Sequence, residues 1–150
     1  MMRRRSGETI AERQQRLIDE FLLIDEWADR YLHLSEVARS LPPLPATFRA
    51  DYYRVPECPS NTFLAGERKN GVLFLHAASD TPILAGILAL VVELYCGEPP
   101  AEILRHPPVI LDRIGLTKNL SPHRRVALLR IHERLVALAS DVDGTRRLAS

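Results

Sequence analysis

The sequence has only two cysteines in 150 residues, and this scarcity excludes a fold built on a framework of disulfide bonds. It also lacks an excess of charge, since 20 basic residues stand against 19 acidic ones and leave a net charge of +1. That balance predicts no field strong enough to attract nucleic acid or anionic lipid. The longest apolar run, Ile83 to Val92, is too short to span a bilayer. With no apolar leader near its start, the sequence predicts a cytoplasmic, reduced protein that binds neither nucleic acid nor membrane.

Familiar catalytic and cofactor motifs are missing as well. The sequence contains no G-x-S-x-G, Walker A, G-x-G-x-x-G or C-x-x-C pattern, so the usual signatures of hydrolases, nucleotide-binding proteins and dithiol oxidoreductases are absent. Its five histidines are scattered without the spacing of metal ligands. We therefore expect no cofactor and no metal in this chain.

What is present is the composition of an ordinary globular domain, 46% hydrophobic and 26% charged. A chain of 150 residues is long enough to bury a core as one domain. The basic, polar start of the sequence and its polar end have little to bury. We predict a flexible N-terminal tail over 1–7, one domain over 8–139 and a polar C-terminal tail over 140–150.

Hydrophobic periodicity predicts helices at both ends of this domain. Apolar residues recur at helical spacing from Glu8 to Leu22 and again from Trp27 to Leu41, where consecutive prolines end the pattern. Asp25, between the two stretches, either caps a second helix or lies within one long bent helix. Downstream we expect a buried helix over Ile83–Tyr95, two short helices, and a final amphipathic helix that starts at Ser121-Pro122.

The middle of the chain changes to the period of strands. Asn70-Gly71 separates two apolar-rich runs, and Asn-Gly favours the type I′ turn of a β-hairpin because both residues tolerate a positive φ. Tyr52–Val55 is expected to add a third antiparallel strand. A small antiparallel sheet between helices predicts the α+β class.

Cys58 is the best candidate for a reactive group. It lies between Pro56 and Pro59, which fit neither a mid-helix position nor a central strand, so the thiol is placed on a loop just ahead of the hairpin. A loop thiol can be presented to another molecule, although an inert cysteine in a turn remains the alternative. Cys96 closes the apolar helix and is interpreted as a packing residue.

Two charged residues at element boundaries are further candidates. Asp80 precedes the apolar helix, where capping is its simplest role. Arg124 lies in the first turn of the last helix, where the helix dipole disfavours a cation. We therefore expect Arg124 to pair with a carboxylate near the Cys58 loop or with a partner, and an ordinary solvated arginine is the alternative. Sequence spacing does not show that these residues converge.

Several segments resemble the SufE family. They are Leu41-Pro42-Pro43-Leu44-Pro45, Cys58 with Ser60, Ala78-Ser79-Asp80-Thr81-Pro82-Ile83, 86–91, 95–104, Gly115-Leu116 and Leu120-Ser121-Pro122-His123-Arg124. They follow the family's order at similar spacing, from about Ile18 to Leu138. The resemblance implies a SufE-like single domain, with a homodimer as a compatible state.

The same resemblance implies a sulfur acceptor that works with, and stimulates, a PLP-dependent cysteine desulfurase of the SufS type. Cys58 matches the loop cysteine that takes persulfide sulfur and passes it to an iron–sulfur scaffold of the SufBCD type. Asp80 and Arg124 match positions linked to loop conformation and partner docking, and Glu57 and Ser60 are the loop residues that accompany the thiol. The PLP belongs to the desulfurase, so no cofactor is implied here. Sulfur transfer needs a reachable thiolate and little else, in agreement with the missing motifs.

The loop also departs from the family, which usually has Gly-Cys-Gln-Ser where this chain has Glu57-Cys58-Pro59-Ser60. Glu57 restricts the backbone and is expected to raise the pKa of the thiol, while Pro59 stiffens the loop. These departures favour an alternative, a module that docks on the desulfurase and regulates it without carrying sulfur. A third candidate is a thiol peroxidase assisted by His76, which the lack of a resolving cysteine disfavours.

Overall fold

The computed structural model describes residues 6–58, 60–140 and 145–147, the last three by their backbone. Within these ranges the α-helices are α1 (Ile10–Leu22), α2 (Trp27–Val37), α3 (Pro82–Tyr95), α4 (Pro100–Arg105), α5 (Ile110–Arg113), α6 (Leu116–Asn119) and α7 (Pro122–Ala139). The strands are β1 (Thr62–Lys69), β2 (Val72–Ser79) and β3 (Thr145–Arg147), with short 3₁₀ turns at Ala38–Ser40, Ala46–Phe48 and Asp51–Tyr53. The predicted α+β class is confirmed. Pro59 and most of both predicted tails lie outside the described residues.

The N-terminal region forms two separate helices. A capping box starts α1, in which the Thr9 hydroxyl accepts from the Glu12 amide at 3.1 Å and the Glu12 carboxylate accepts from the Thr9 amide at 3.0 Å. α2 starts after Glu26, which supplies no side-chain cap. Both roles considered for Asp25, a cap and a position within one bent helix, are therefore wrong.

The predicted hairpin is confirmed. β1 and β2 pair in an antiparallel register from Thr62↔Ser79 to Lys69↔Val72. Asn70 and Gly71 form the turn with φ of 53° and 79°, the positive values that a type I′ turn requires. Residues 145–147, to which sequence analysis assigned no strand, pair in parallel with β1, so the sheet order is β2-β1-β3.

The predicted strand over Tyr52–Val55 is wrong. A 3₁₀ turn occupies Asp51–Tyr53, and the pairing with β1 is reduced to a single bridge between Arg54 and Phe63. Pro56 has no amide hydrogen to donate, which limits any extension of the ladder.

The main core lies between α3 and one face of the sheet. α3 is buried almost all round and contacts β2, α2, α1 and α7, as its apolar sequence predicted. Gly86 allows α2 to approach closely, because a Cβ at this position would lie 2.3 Å from the Leu34 carbonyl oxygen. A smaller cluster covers the other face of the sheet and includes Leu44, Phe48, Phe63 and Ala65.

The C-terminal half contains short helices followed by one long one. Gly97 has φ of 82° just after α3, and Gly115 has φ of 93° between α5 and α6, so both glycines end helices as predicted. α6 is an additional turn of helix that sequence analysis did not assign. α7 starts at the predicted Ser121-Pro122. Among the described residues, no helix is long and apolar enough to cross a membrane.

Candidate functional site

The Cys58 loop is closed at its base by backbone hydrogen bonds. The Val55 amide donates to the Thr62 carbonyl at 2.8 Å, and the Asp80 amide donates to the Asn61 carbonyl at 3.1 Å. Both Val55 and Thr62 are fully buried. The thiol therefore lies on a short connection whose two ends are fixed at the start of β1.

Cys58 itself is half-buried and packs against the main core. Burial raises the pKa of the Cys58 thiol, and a hydrogen bond with Thr62 opposes this effect. The thiol is consequently protonated at neutral pH while the loop is in this position. Since the thiolate is the nucleophile, this conformation protects the sulfur from reaction.

A chain of hydroxyl groups connects the loop to the start of α3. Ser60 Oγ lies 3.2 Å from Thr62 Oγ1, which lies 2.9 Å from Ser79 Oγ. Ser79 Oγ also accepts from the Thr81 amide at 3.2 Å. The predicted loop residue Ser60 is thus connected to the hairpin and to the N-terminal end of the central helix.

Glu57 occupies an unusual backbone conformation and forms an ion pair. Its φ is 61°, in the left-handed region that costs a non-glycine residue about 1–2 kcal/mol. Its carboxylate oxygens lie 3.2 Å from Nε and 3.2 Å from Nη2 of Arg130 on α7. The pKa of Cys58 is raised as expected, but the cause is burial and not the charge of Glu57.

Arg134, one helical turn after Arg130, supports the base of the loop. Its guanidinium donates to the carbonyls of Tyr53 at 3.3 Å, Leu64 at 3.0 Å and Arg54 at 3.0 Å. Burial lowers the pKa of Arg134 from its ordinary value. Sequence reasoning missed both Arg130 and Arg134. Their spacing of four residues on one helix is the signal that could have indicated a shared target.

Arg124 does not fulfil the carboxylate pairing expected near the Cys58 loop. Its Nη1 donates to the Tyr31 hydroxyl at 3.0 Å, so its contact is with α2, and Arg130 instead pairs with the loop carboxylate of Glu57. The half-buried side chain of Arg124 joins the first turn of α7 to α2.

Asp80 does not cap α3. The residue before the helix is Thr81, whose side chain forms no capping bond, and the Thr81 amide is already bonded to Ser79. Asp80 is exposed and is joined to the loop through its backbone bond to Asn61. The structure therefore places Glu57, Ser60 and Asp80 with Cys58 on one loop region.

The remaining candidates have other contacts. Cys96 is half-buried, and its Sγ accepts from the Leu75 amide at 3.2 Å. His76 stacks on Phe48 with ring centroids 4.7 Å apart, and its Nε2 lies 2.6 Å from a Glu67 carboxylate oxygen. These contacts are away from the Cys58 loop and give no support to a peroxidase site.

An apolar cleft and the arrangement of the described side chains bear on whether the chain has a small-molecule or metal site. An apolar cleft of about 310 Å³, lined by Pro108, Leu128, Leu129 and other residues, does not include Cys58. In residues 6–58 and 60–140, no group of three or more His, Cys, Asp or Glu side chains is arranged to hold a metal ion.

Comparison with known proteins decides the family. The family model described as SufE, Fe-S metabolism associated domain, matches residues 15–139. The chain belongs to the SufE family. This confirms the resemblance found in the sequence, and it places the Cys58 loop, the hairpin and α7 inside the SufE domain.

Individual relatives agree with this assignment. The chain is 32% identical to an uncharacterized SufE-like protein of Rhizobium etli over 124 residues, which cover 79% of this chain and 84% of that protein. It is 27% identical to the sulfur acceptor protein CsdE of Escherichia coli, over 84% of this chain and 87% of CsdE. The solution structure of a hypothetical protein from Thermus thermophilus matches with a TM-score of 0.70 and 25% identity, covering 85% of this chain and 93% of that one. The SufE-like fold is thereby established.

Proposed function

We propose that this SufE-family protein accepts sulfur on Cys58 from a PLP-dependent cysteine desulfurase and relays it to an iron–sulfur scaffold. The observation that carries the proposal is a single thiol on a short loop whose ends are fixed by buried backbone contacts. The family and the sulfur acceptor CsdE support the same role. Such a loop can present sulfur to large partners and needs no substrate pocket of its own.

The chemistry requires only sulfur–sulfur exchange. The Cys58 thiolate attacks the outer sulfur of the desulfurase persulfide, a new S–S bond forms on Cys58, and the desulfurase cysteine leaves as a thiolate. No external oxidant or reductant is needed. Because burial raises the pKa of the Cys58 thiol in the closed loop, the loop must move outward before the thiol ionises readily at neutral pH.

Two surface residues are proposed to contact the desulfurase. Arg124 is held in place by Tyr31 at one end of α7, and Asp80 is exposed beside the loop base. A cation and an anion at separate positions on the surface contribute more to the orientation of a bound partner than to the affinity of the complex.

Intact mass spectrometry tests sulfur uptake. After incubation with a cysteine desulfurase and free cysteine, the protein should gain one sulfur atom, and the mass should return on reduction. Cys58→Ser should show no gain, whereas Cys96→Ser should behave as the unmodified protein. A gain that persists in Cys58→Ser would overturn the assignment of the acceptor.

One observation favours a second function, a docking module that regulates the desulfurase without carrying sulfur. Glu57 and Arg130 form an ion pair that fixes the residue next to the half-buried thiol. The mass experiment separates the two functions, since a stable complex with no sulfur gain supports the module. Dimerisation and cytoplasmic location stay predictions.

A further inference from the structure

We propose that the Glu57–Arg130 ion pair is a latch that holds the Cys58 loop closed, which makes Arg130 a positioning residue for the thiol. The biological purpose of the latch rests on the proposed sulfur transfer. Its physical action, control of thiol exposure, is independent of that function and can be measured without any partner.

The geometry of the pair is that of a two-point contact. Nε and Nη2 of Arg130 each lie 3.2 Å from a different carboxylate oxygen of Glu57. On the other side, Nη1 of Arg130 lies 2.8 Å from Glu133, which is also on α7. Glu133 thus orients the planar guanidinium before the loop contacts it. Less side-chain entropy is therefore lost when the Cys58 loop closes onto Arg130.

The position of Glu57 connects this contact to the thiol. Glu57 directly precedes Cys58 and has a φ of 61°, so the closed loop contains a backbone conformation that an L-residue rarely adopts. The two-point contact with Arg130 offsets that strain. When the contact is lost, the backbone of Glu57 can relax and Cys58 moves with it.

Exposure makes the latch reversible. The Glu57 side chain is 62% exposed and that of Arg130 is 24% exposed, so solvent ions and charged groups of a partner can compete for both ends. Arg134 differs, since it bonds to backbone carbonyls at the base of the loop. The loop can therefore open at Arg130 while Arg134 keeps its base in place.

Alkylation with iodoacetamide, an uncharged reagent, tests the latch on the full chain. Arg130→Gln should speed labelling of Cys58 about two- to fivefold, the range expected for loss of an exposed ion pair. Relief of burial should also lower the apparent pKa in the pH–rate profile. The competing explanation, a direct effect of charge, predicts the opposite sign, because Glu57 without its arginine would raise the thiol pKa and slow labelling.

Two further measurements complete the test. Glu57→Gln should match Arg130→Gln, and the double variant should show no additional gain, as expected for two ends of one contact. Added salt should speed labelling of the unmodified protein but not of the variants. Arg125→Gln, an exposed arginine on the same helix, is the matched control and should leave the rate unchanged.

Three results would overturn the latch: slower labelling in Arg130→Gln, an unchanged rate, or an equal gain in Arg125→Gln. None of these results depends on a desulfurase. Failure of the latch is therefore distinguishable from failure of sulfur uptake, which would appear as no gain in mass of the unmodified protein after incubation with a desulfurase and cysteine.

Discussion

Cys58 and Cys96 are both half-buried, yet their surroundings give the two thiols different chemistry. The sulfur of Cys96 accepts a hydrogen bond from the Leu75 amide, in a region where the Gly97 amide also bonds to Leu73 at 2.7 Å. Cys58 has a neighbouring backbone held in a strained conformation on a loop. Their similar exposure predicts similar reactivity for the two thiols. The stability of the local backbone instead predicts that Cys58 becomes accessible more easily than Cys96.

Brief treatment of the native protein with iodoacetamide should label Cys58 well before Cys96. The loop of Cys58 can open locally, whereas exposure of Cys96 requires separation of the end of α3 from β2. Peptide mass mapping at short times measures the order. The labelling rate of Cys58 should be unchanged in Cys96→Ser, and faster labelling of Cys96 would contradict the prediction.

The pH dependence of this labelling should be shifted upward. Because burial raises the pKa of Cys58 and only the thiolate reacts, the midpoint of the rate–pH profile should lie above the ordinary pKa of a free thiol. In urea, where burial is lost, the midpoint for the same cysteine should return to that ordinary pKa. A native profile identical to the one in urea would show that burial does not control the thiol.

Arg124→Ala should weaken desulfurase stimulation or sulfur uptake while the fold stays intact. Its bond to the Tyr31 hydroxyl contributes about 1 kcal/mol, so unfolding in urea should change little. Arg125→Ala, the neighbouring exposed arginine, should affect neither stability nor activity. Equal behaviour of the two variants would remove Arg124 from the docking surface.

At the scale of elements, α7 combines two kinds of contact with the Cys58 region. Arg130 reaches a side chain that solvent can also reach, and Arg134 reaches three backbone carbonyls in partly buried surroundings. The first contact suits a conformational change and the second suits permanent structure, since an unpaired buried carbonyl is costly.

Arg134→Met should destabilise the protein by about 2 kcal/mol, because charged hydrogen bonds to the backbone are lost while the apolar length of the side chain is kept. Equilibrium unfolding in urea measures the change. Arg125→Met is the control on the same helix and should lie within about 0.5 kcal/mol of the unmodified protein. Similar losses in both variants would contradict a special role for Arg134.

The hairpin was predictable from sequence because its information is local. Asn70-Gly71 needs no distant contact to favour a type I′ turn, and the apolar runs beside it set the register. The contacts of Arg130 and Arg134 with the Cys58 region were not predictable in this way, since those partners lie 70 to 81 residues away along the chain. An arginine on an amphipathic helix looks solvent-exposed until the fold brings a loop to it.

The strand expected before Cys58 shows the same limit. Tyr52–Val55 has suitable residues for a strand, but the chain forms a 3₁₀ turn and returns to a sheet pairing only at Arg54. The β-propensity of a segment is a weak guide to its structure, because packing against neighbouring strands and side chains decides whether the segment forms a strand. Sequence therefore indicated the Cys58 loop and the family, but not the contacts that hold the loop.

At the scale of the whole molecule, the crossing of α2 and α3 limits what the core can accept. A Cβ at residue 86 would overlap the backbone carbonyl of Leu34, which belongs to the helix that also carries Tyr31. Because the Tyr31 hydroxyl accepts a hydrogen bond from Arg124, a change in the distance between α2 and α3 would also move the partner that holds Arg124.

Gly86→Ala should destabilise the protein by about 1–3 kcal/mol, although alanine is the better helix former by about 1 kcal/mol. Steric overlap with Leu34 should outweigh the gain in helix propensity, since a backbone atom cannot rotate away. Urea unfolding measures the sign, and a more stable variant would show that the two helices separate freely.

The fixed base of the Cys58 loop also limits how far Cys58 can move away from the body of the protein. Cys58 lies three residues after Val55 and four before Thr62, and the two anchors are joined by a 2.8 Å hydrogen bond. A fully extended chain advances about 3.5 Å per residue, so the Cα of Cys58 can move no farther than about 10 Å from the anchor while the base holds. The protein thus carries its thiol on a short tether. For the proposed sulfur transfer, a donor cysteine recessed more deeply than this tether allows would have to move outward to meet Cys58. The depth of a desulfurase's site is then a geometric criterion for whether Cys58 could take sulfur from it.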